Sequence, residues 1–131
     1  DQKKGYILNV ASTAAFLPGP FMAVYYASKA FVFSFSQSLS EELRGSGVSV
    51  TVACPGPTNT GFAKNAGITS TPLFQNFVMK PDRVVRESLD AMFKGKSSVI
   101  VGVRNKIQVK VSRFVSPSIL ARSVRRIQEK N

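Results

Sequence analysis

The apolar and polar positions along this 131-residue chain follow two different spacings. Short apolar runs rich in β-branched residues predict strands at 6–11, 48–54 and 97–102, and we expect the first of these to be buried on both faces. Longer segments with apolar residues three or four apart predict helices at 25–43 and 80–95. A chain in which strands and helices alternate in this way is expected to form an α/β fold with a parallel sheet.

Each of the two helices is expected to bury one apolar stripe against the sheet. In the first helix the predicted stripe comprises Phe31, Phe35, Leu39 and Leu43. In the second helix it comprises Val84, Val85, Leu89, Met92 and Phe93. Residues 61–79, which lie between the second strand and the second helix, carry scattered apolar side chains and predict a loop that would act as a mobile flap.

Residues 103–131 predict a basic tail of two amphipathic helices, which we separate from an α/β segment at 1–102. The first tail helix would carry an apolar stripe of Val103, Ile107, Val111 and Phe114, with Lys106, Lys110 and Arg113 off the stripe. The second would begin at Ser116 and Pro117, which suit an N-cap and a first turn. Its apolar face would comprise Leu120, Val124 and Ile127.

The positive charge is concentrated in the second half of the chain. The net charge is +11, and residues 66–131 hold 13 basic and 4 acidic groups, a net of +9. Three roles are open for the basic tail: a solvated helix face, peripheral contact with an anionic membrane, or nucleic-acid binding. Because the tail has no aromatic platform for stacking bases, we expect no nucleic-acid partner.

The composition also excludes several kinds of chemistry. Cys54 is the single cysteine, so no internal disulfide can form, and we expect a reducing, cytoplasmic location. The chain has no histidine, so a metal site built from nitrogen and sulfur ligands is not expected. No apolar run reaches the roughly 20 residues that a transmembrane helix needs.

The stretch "NVASTAAFLPGPFMAVYYASK" at residues 9–29 carries the candidate chemistry. Tyr25 and Lys29 lie four residues apart and share one helix face, so the lysine charge and the helix N-terminus both favour a phenolate. A tyrosine in that position can exchange a proton with a substrate hydroxyl or carbonyl. Ser12 follows the first strand and could hold the same oxygen. Taken without its neighbours, the pair is better explained by a half-buried tyrosine beside a solvated lysine.

Three motifs together resemble the short-chain dehydrogenases/reductases over residues 5–101. These are "NVAS", "YYASK" thirteen residues after the serine, and "CPGPTNT" after the next strand. The family's Tyr-x-x-x-Lys motif falls on Tyr25 and Lys29, its catalytic serine on Ser12, and its Pro-Gly motif on Pro55 and Gly56. One tyrosine four residues before a lysine is weak evidence, but three motifs in order at these spacings are specific.

The resemblance implies a role for each of these residues. Tyr25 would be the general acid/base, Lys29 would assist it and bind the nicotinamide ribose, and Ser12 would polarise the substrate carbonyl. The implied cofactor is NAD or NADP, with NADP slightly favoured, and the implied substrate is a small carbonyl compound or alcohol. The implied cofactor-binding residues are Tyr25, Lys29, Pro55, Gly56, Thr58 and Thr60. The family also implies a homo-oligomer that assembles through the helix at 25–43.

The sequence departs from the family pattern in its first part. It contains neither the glycine-rich turn that binds the cofactor phosphates nor the family's catalytic asparagine. We therefore expect the C-terminal, catalytic half of a Rossmann-like doubly wound parallel sheet, with amphipathic C-terminal helices, which binds NADPH and NADH weakly by itself. The alternatives are a non-catalytic dimerisation or binding module and a peripheral membrane protein.

Overall fold

The computed structural model of the protein describes residues 3–67 and 78–129. Within them the chain forms three strands and five α-helices, and a short 3-10 helix (Thr13–Phe16) follows the first strand. In chain order these are β1 (Gly5–Val10), α1 (Ala23–Glu42), β2 (Val48–Cys54), α2 (Gly61–Asn65), α3 (Pro81–Phe93), β3 (Ser98–Ile100), α4 (Val103–Ser112) and α5 (Pro117–Gln128).

The three strands form one parallel sheet in the order β1-β2-β3. Gly5 pairs with Val48 at the start of the first ladder, and Val52 pairs with Ser98 at the start of the second. Parallel neighbours need a crossover, and α1 and α3 supply the helical part of the two crossovers. The predicted α/β fold with a parallel sheet is confirmed.

The core is built around β2, the middle strand of the sheet. Val52 and Cys54 are fully buried, and with Ala11 they form a cluster. Partly buried apolar side chains surround this cluster: Phe16, Val32, Phe33 and Ile100. Burying these side chains removes apolar surface from water, which is the main favourable contribution to folding.

The buried face of α1 differs from the predicted stripe. Phe31 and Phe35 are 69% and 51% exposed, whereas Tyr26 and Ser36 are buried. Ser36 is tolerated there because its hydroxyl accepts a hydrogen bond from the Asn9 side-chain amide (2.9 Å) and donates one to the Val32 carbonyl (2.6 Å). A small, satisfied hydroxyl lets the helix approach the sheet closely, which the spacing of large apolar residues cannot indicate.

The predicted inner face of α3 is wrong at three of its five positions, and small residues again occupy part of the buried side. The side chains that face inward are the small Ser88 and Ala91 together with Met92. Val85 and Phe93 are 55% and 64% exposed, and Leu89 is exposed as well. Met92 is buried and Val84 is partly buried, as expected.

The first strand and the tail show further differences. β1 is an edge strand in the part of the chain that the structure describes, so Tyr6, Ile7 and Val10 are exposed rather than buried on both faces. The apolar stripe predicted for the first tail helix lies on its exposed side, and α4 buries Val109 and Ser112. The face predicted for the second tail helix is buried at Val124, partly buried at Leu120 and 41% exposed at Ile127.

The predicted loop at 61–79 begins with α2, a helix of five residues, where a loop was expected. Thr60 caps this helix by accepting a hydrogen bond from the Phe62 amide. Residues 68–77, which would form most of the predicted flap, lie outside the described residues.

Candidate active site

A cleft of about 340 Å³ opens where β1 and β2 end. In open parallel sheets, ligands bind outside the carboxyl ends of the strands, so this is the expected place for a site. Most of the cleft surface is apolar. Its polar lining residues are Ser12, Thr13, Tyr25, Tyr26, Lys29, Thr58, Thr60, Gln108 and Gln128.

Ser12 is fixed by hydrogen bonds between the segments that follow β1 and β2. The Ala11 amide donates to the Ala53 carbonyl (2.8 Å), and the Thr13 amide donates to the Pro55 carbonyl (2.9 Å). The Ser12 hydroxyl oxygen accepts a hydrogen bond from the Ala14 amide (3.1 Å) and caps the 3-10 helix. Since a hydroxyl is both donor and acceptor, its proton is available to a ligand oxygen in the cleft.

Tyr25 and Lys29 lie in the first two turns of α1 and line the same cleft as Ser12. The Lys29 ammonium nitrogen is 5.7 Å from the centre of the Tyr25 ring and donates a hydrogen bond to the Val10 carbonyl (3.2 Å). The Tyr25 ring packs against Phe62, with the ring centres 5.1 Å apart. The lysine is thus tethered to the end of β1, with its charge beside the phenol.

The loop after β2 brings the other motif residues to the cleft. Pro55, Gly56, Thr58 and Thr60 all line it. Hydrogen bonds to Met79 hold the loop in place: the Asn59 amide donates to the Met79 carbonyl (2.9 Å), and the Met79 amide donates to the Pro57 carbonyl (2.8 Å).

Gly56 also has a packing reason to be glycine. A Cβ at this position would lie 2.5 Å from the Asn105 side-chain nitrogen. The Asn105 amide group is itself fixed, because it donates a hydrogen bond to the Val101 carbonyl (2.7 Å). A side chain at position 56 would therefore displace the start of α4.

α5 contributes a part of the site that no motif indicates. Val124, Ile127 and Gln128 line the cleft, Val124 packs with Tyr26 of α1, and the Gln128 side-chain amide donates a hydrogen bond to the Tyr26 hydroxyl (2.6 Å). These partners are 102 positions apart, so no local motif could reveal them. The only sequence signal was the apolar spacing of the second tail helix, which does not tell what the helix covers.

Tyr26 lines the cleft and Cys54 lies next to Pro55 at its edge, but both side chains are buried. Burial raises the pKa of the Tyr26 hydroxyl above its ordinary value, although the hydrogen bond from Gln128 acts in the opposite direction. Burial likewise raises the pKa of the Cys54 thiol to about 12. A hydrogen bond with the Ser12 backbone and the positive charge of Lys29 lower this pKa by smaller amounts. Both groups stay protonated at neutral pH.

Residues 3–67 and 78–129 contain neither a cluster of metal ligands nor a membrane-spanning helix. Over these ranges, no group of three or more His, Cys, Asp or Glu side chains is placed to hold a metal ion. The same ranges contain no helix that is both long and apolar enough to span a bilayer.

The fold and the cleft together define a class of protein. A parallel α/β sheet with hydroxyl and ammonium groups at the carboxyl ends of its strands is typical of Rossmann-type nucleotide-binding enzymes. A family model described as short chain dehydrogenase matches residues 1–71, more than half of the chain. The chain belongs to the short-chain dehydrogenase family, which confirms the resemblance inferred from the three motifs.

Individual relatives agree with this assignment. The chain is 38% identical to mouse 17-beta-hydroxysteroid dehydrogenase type 3 over 74% of its own length and 30% of that protein. The solved structure of a 7beta-hydroxysteroid dehydrogenase superimposes with a TM-score of 0.77 at 27% identity, covering 94% of this chain and 48% of the other. A short-chain dehydrogenase from Sphingobium yanoikuyae in complex with NADPH gives a TM-score of 0.66 at 30% identity, covering 82% and 42%. The chain spans less than half the length of each of these proteins.

Proposed function

We propose that this chain carries the catalytic residues of an NAD(P)-dependent oxidoreductase that interconverts a carbonyl compound and an alcohol. The observation that supports this function best is that Ser12, Tyr25 and Lys29, which come from two different elements, line one cleft. The cleft also has the location expected for a ligand site in a parallel sheet.

Each of the three side chains has a distinct task in the proposed reaction. During reduction, the Tyr25 hydroxyl donates its proton to the substrate oxygen; during oxidation, the phenolate takes that proton back. The Ser12 hydroxyl donates a hydrogen bond to the same oxygen and stabilises the negative charge that develops there. The Lys29 ammonium, 5.7 Å from the ring centre, places a positive charge beside the reacting groups, where negative charge develops during proton transfer.

The donor groups in the cleft fit the nicotinamide end of a dinucleotide. Lys29 and Tyr25 offer an ammonium and a hydroxyl for the ribose hydroxyls, and Thr60 offers a hydroxyl for the carboxamide. When bound, the nicotinamide supplies or accepts the hydride, and the protein positions it. The sequence has no glycine-rich turn for the phosphates, so these residues hold only one end of the cofactor. We favour NADP over NAD because the 30% identical neighbour was solved with NADPH.

The lining of the cleft points to a large apolar substrate. Its apolar side chains include Leu17, Met22, Phe62, Val84, Val124 and Ile127. Such a surface favours a rigid or extended hydrocarbon skeleton with few polar groups. Because two of the relatives are hydroxysteroid dehydrogenases, we propose a steroid-sized ketone or alcohol as the substrate class.

The test of this function is the Tyr25→Phe substitution in a chimera. The cofactor-binding half of the NADPH-bound neighbour is joined ahead of Gly5, which supplies the glycine-rich turn that these residues lack. Removing the phenolic hydroxyl removes the proton donor, so we expect turnover of a steroid ketone panel to fall by about 10²–10⁴. NADPH oxidation is followed by absorbance.

The Tyr6→Phe chimera is the matched control, because Tyr6 lies on β1 and does not line the cleft. It should keep full turnover, and all chimeras should bind NADPH with similar affinity. Full turnover in Tyr25→Phe would reject Tyr25 as the acid/base. A chimera that binds NADPH and reduces none of the ketones would reject the oxidoreductase function.

A second candidate function, self-association through α1, is favoured by one observation. Phe31 and Phe35 are stacked with their ring centres 6.0 Å apart on the exposed side of this helix. Exposed neighbouring aromatic rings are typical of protein interfaces. We propose that this pair lies against a second copy of the chain.

A further inference from the structure

The outward side of α4 carries a row of large apolar side chains. We name this row the α4 stripe; it comprises Val103, Ile107, Val111 and Phe114, which are 65%, 59%, 56% and 85% exposed. On the opposite side of the helix, Val109 and Ser112 are buried against the protein. The helix is therefore anchored through one side and presents its apolar row on the other.

Helix geometry makes this row continuous. Positions 103, 107 and 111 are four residues apart, so their side chains lie above one another along the helix. Phe114 follows in the turn directly after α4 and is the most exposed large apolar side chain in the described part of the chain. Four such side chains in a row are unfavourable in water and indicate a surface that is covered by a partner.

The charges beside the α4 stripe are almost all positive. Lys106 and Lys110 each precede a stripe residue on the helix and are exposed, as is Arg113. The next helix in the chain, α5, carries the exposed Arg122 and Arg126 on the side opposite its buried Val124 and Gln128. Residues 103–131 hold 8 basic groups and 1 acidic group, a net of +7.

We propose that the α4 stripe binds the surface of an anionic lipid bilayer. A bilayer offers apolar chains to the stripe and negative headgroups to the surrounding lysines and arginines. A second copy of the chain would bring another net charge of +7 against the first, which opposes association through this face. A nucleic acid would satisfy the charges but would leave the apolar row without a suitable contact.

The length of α4 suits a helix that lies parallel to the membrane surface, at the boundary between water and lipid. With 10 residues, α4 is about 15 Å long, which is half the thickness of the hydrocarbon core. The stripe would enter the headgroup boundary while the lysine stems extend along it and keep their ammonium groups among the phosphates. This inference is independent of the oxidoreductase function, because it uses no residue of the cleft.

The test is flotation of the chain with lipid vesicles. We expect binding to phosphatidylcholine vesicles that contain about 30% phosphatidylserine, and little binding to pure phosphatidylcholine. Raising the NaCl concentration from about 50 to about 500 mM should weaken the binding about tenfold, since salt screens the charge contribution. The Val111→Asp/Phe114→Asp double variant should lose binding at both salt concentrations.

Val85→Asp is the matched control, because Val85 on α3 and Val111 on α4 are 55% and 56% exposed. It should bind vesicles as the unchanged chain does, and circular dichroism should show all variants folded. Equal loss in Val85→Asp and in the stripe variant would overturn the proposal, as would equal binding to both lipid compositions or no binding at all. A lipid-free change in oligomeric state caused by the stripe variant would also overturn it, because the row would then be a protein interface.

Discussion

At the residue scale, two neighbouring tyrosines on α1 have different environments. Tyr26 is 8% exposed, and its hydroxyl accepts a hydrogen bond from Gln128, whereas Tyr25 is only partly buried and lines the cleft beside Lys29. Burial raises the pKa of the Tyr26 hydroxyl and so keeps it neutral. The fold thereby places one phenol at the surface of the cleft beside Lys29 and uses the adjacent one to attach α5.

Cys54 gives a pH-dependence prediction. Burial raises its pKa from 9.0 to about 12, so on alkalinisation the unfolded chain loses the thiol proton first. The protonated Cys54 thiol therefore makes its full contribution to the free energy of unfolding below pH 9.0. This contribution is lost as the pH rises towards about 12, by up to about 1.4 kcal/mol per pH unit. Urea denaturation between these pH values should show a steeper decline for the unchanged chain than for Cys54→Ala.

The comparison with Cys54→Ala at neutral pH is the control, because the Cys54 thiol of the unchanged chain is then protonated in both the folded and the unfolded state. There the alanine variant should be less stable by a constant amount, because a buried sulfur atom has been removed. If the free energies of unfolding of the two proteins fell in parallel across the alkaline range, titration of Cys54 would not contribute to the pH dependence of stability.

Some residues of the site can be predicted from the sequence, and others cannot. Ser12, Tyr25 and Lys29 belong to a motif with fixed spacing, and the structure brings them into one cleft, although their catalytic roles remain predictions. Gln128 reaches the site from the far end of the chain. Its contact depends on how α5 packs, and packing of that kind is decided by tertiary structure and leaves no local pattern.

At the element scale, the connection from α1 to β2 depends on two glycines with different surroundings. Gly45 and Gly47 have φ values of +83° and +85°, a region that favours glycine. A Cβ on Gly47 would lie 2.1 Å from the Lys3 carbonyl oxygen, whereas a Cβ on Gly45 would meet nothing within 4 Å. The Gly47 carbonyl also accepts a hydrogen bond from the Gly5 amide (3.1 Å), which aligns the first strand pair.

These two glycines give a matched pair of variants. Gly45→Ala should lower the free energy of unfolding by about 1 kcal/mol, which is the conformational cost alone. Gly47→Ala should cost more than about 2 kcal/mol, because the backbone of residue 3 must also move. Urea denaturation measures both values, and equal losses would show that the contact with Lys3 is unimportant.

The helices themselves were predictable, but the sides that they bury were not. The bounds of α1 and β2 agree with the sequence pattern within about two residues. The buried positions are often small residues, such as Ser36, Ser88 and Ala91, which permit close packing on the sheet. Large apolar residues dominate any periodicity count, so the pattern assigned them to the core, whereas in α1 and α4 many of them lie on the surface.

At the scale of the whole molecule, two exposed apolar surfaces lie on different helices. One is the stacked pair Phe31 and Phe35 on α1, and the other is the α4 stripe with its surrounding positive charge. α1 carries only two acidic groups and one lysine along its length, so a second copy meets little charge repulsion there. The two surfaces are therefore suited to different partners.

Self-association through α1 is testable by light scattering after size-exclusion chromatography. The unchanged chain of 14.2 kDa should elute with about twice that mass at high concentration. Phe31→Asp places a charge in the proposed interface and should give the mass of a monomer. Phe114→Asp makes the same chemical change on α4 and should leave the dimer intact. A monomeric mass for the unchanged chain at every concentration would contradict the proposal.

The hydrogen bond between Gln128 and Tyr26 provides the molecule with its own optical reporter. The chain has no tryptophan and three tyrosines, so its near-ultraviolet emission comes from those three phenols alone. One of them is enclosed by the last helix and loses that enclosure whenever α5 detaches. Intrinsic tyrosine fluorescence therefore reports, without any added label, whether α5 is packed against α1.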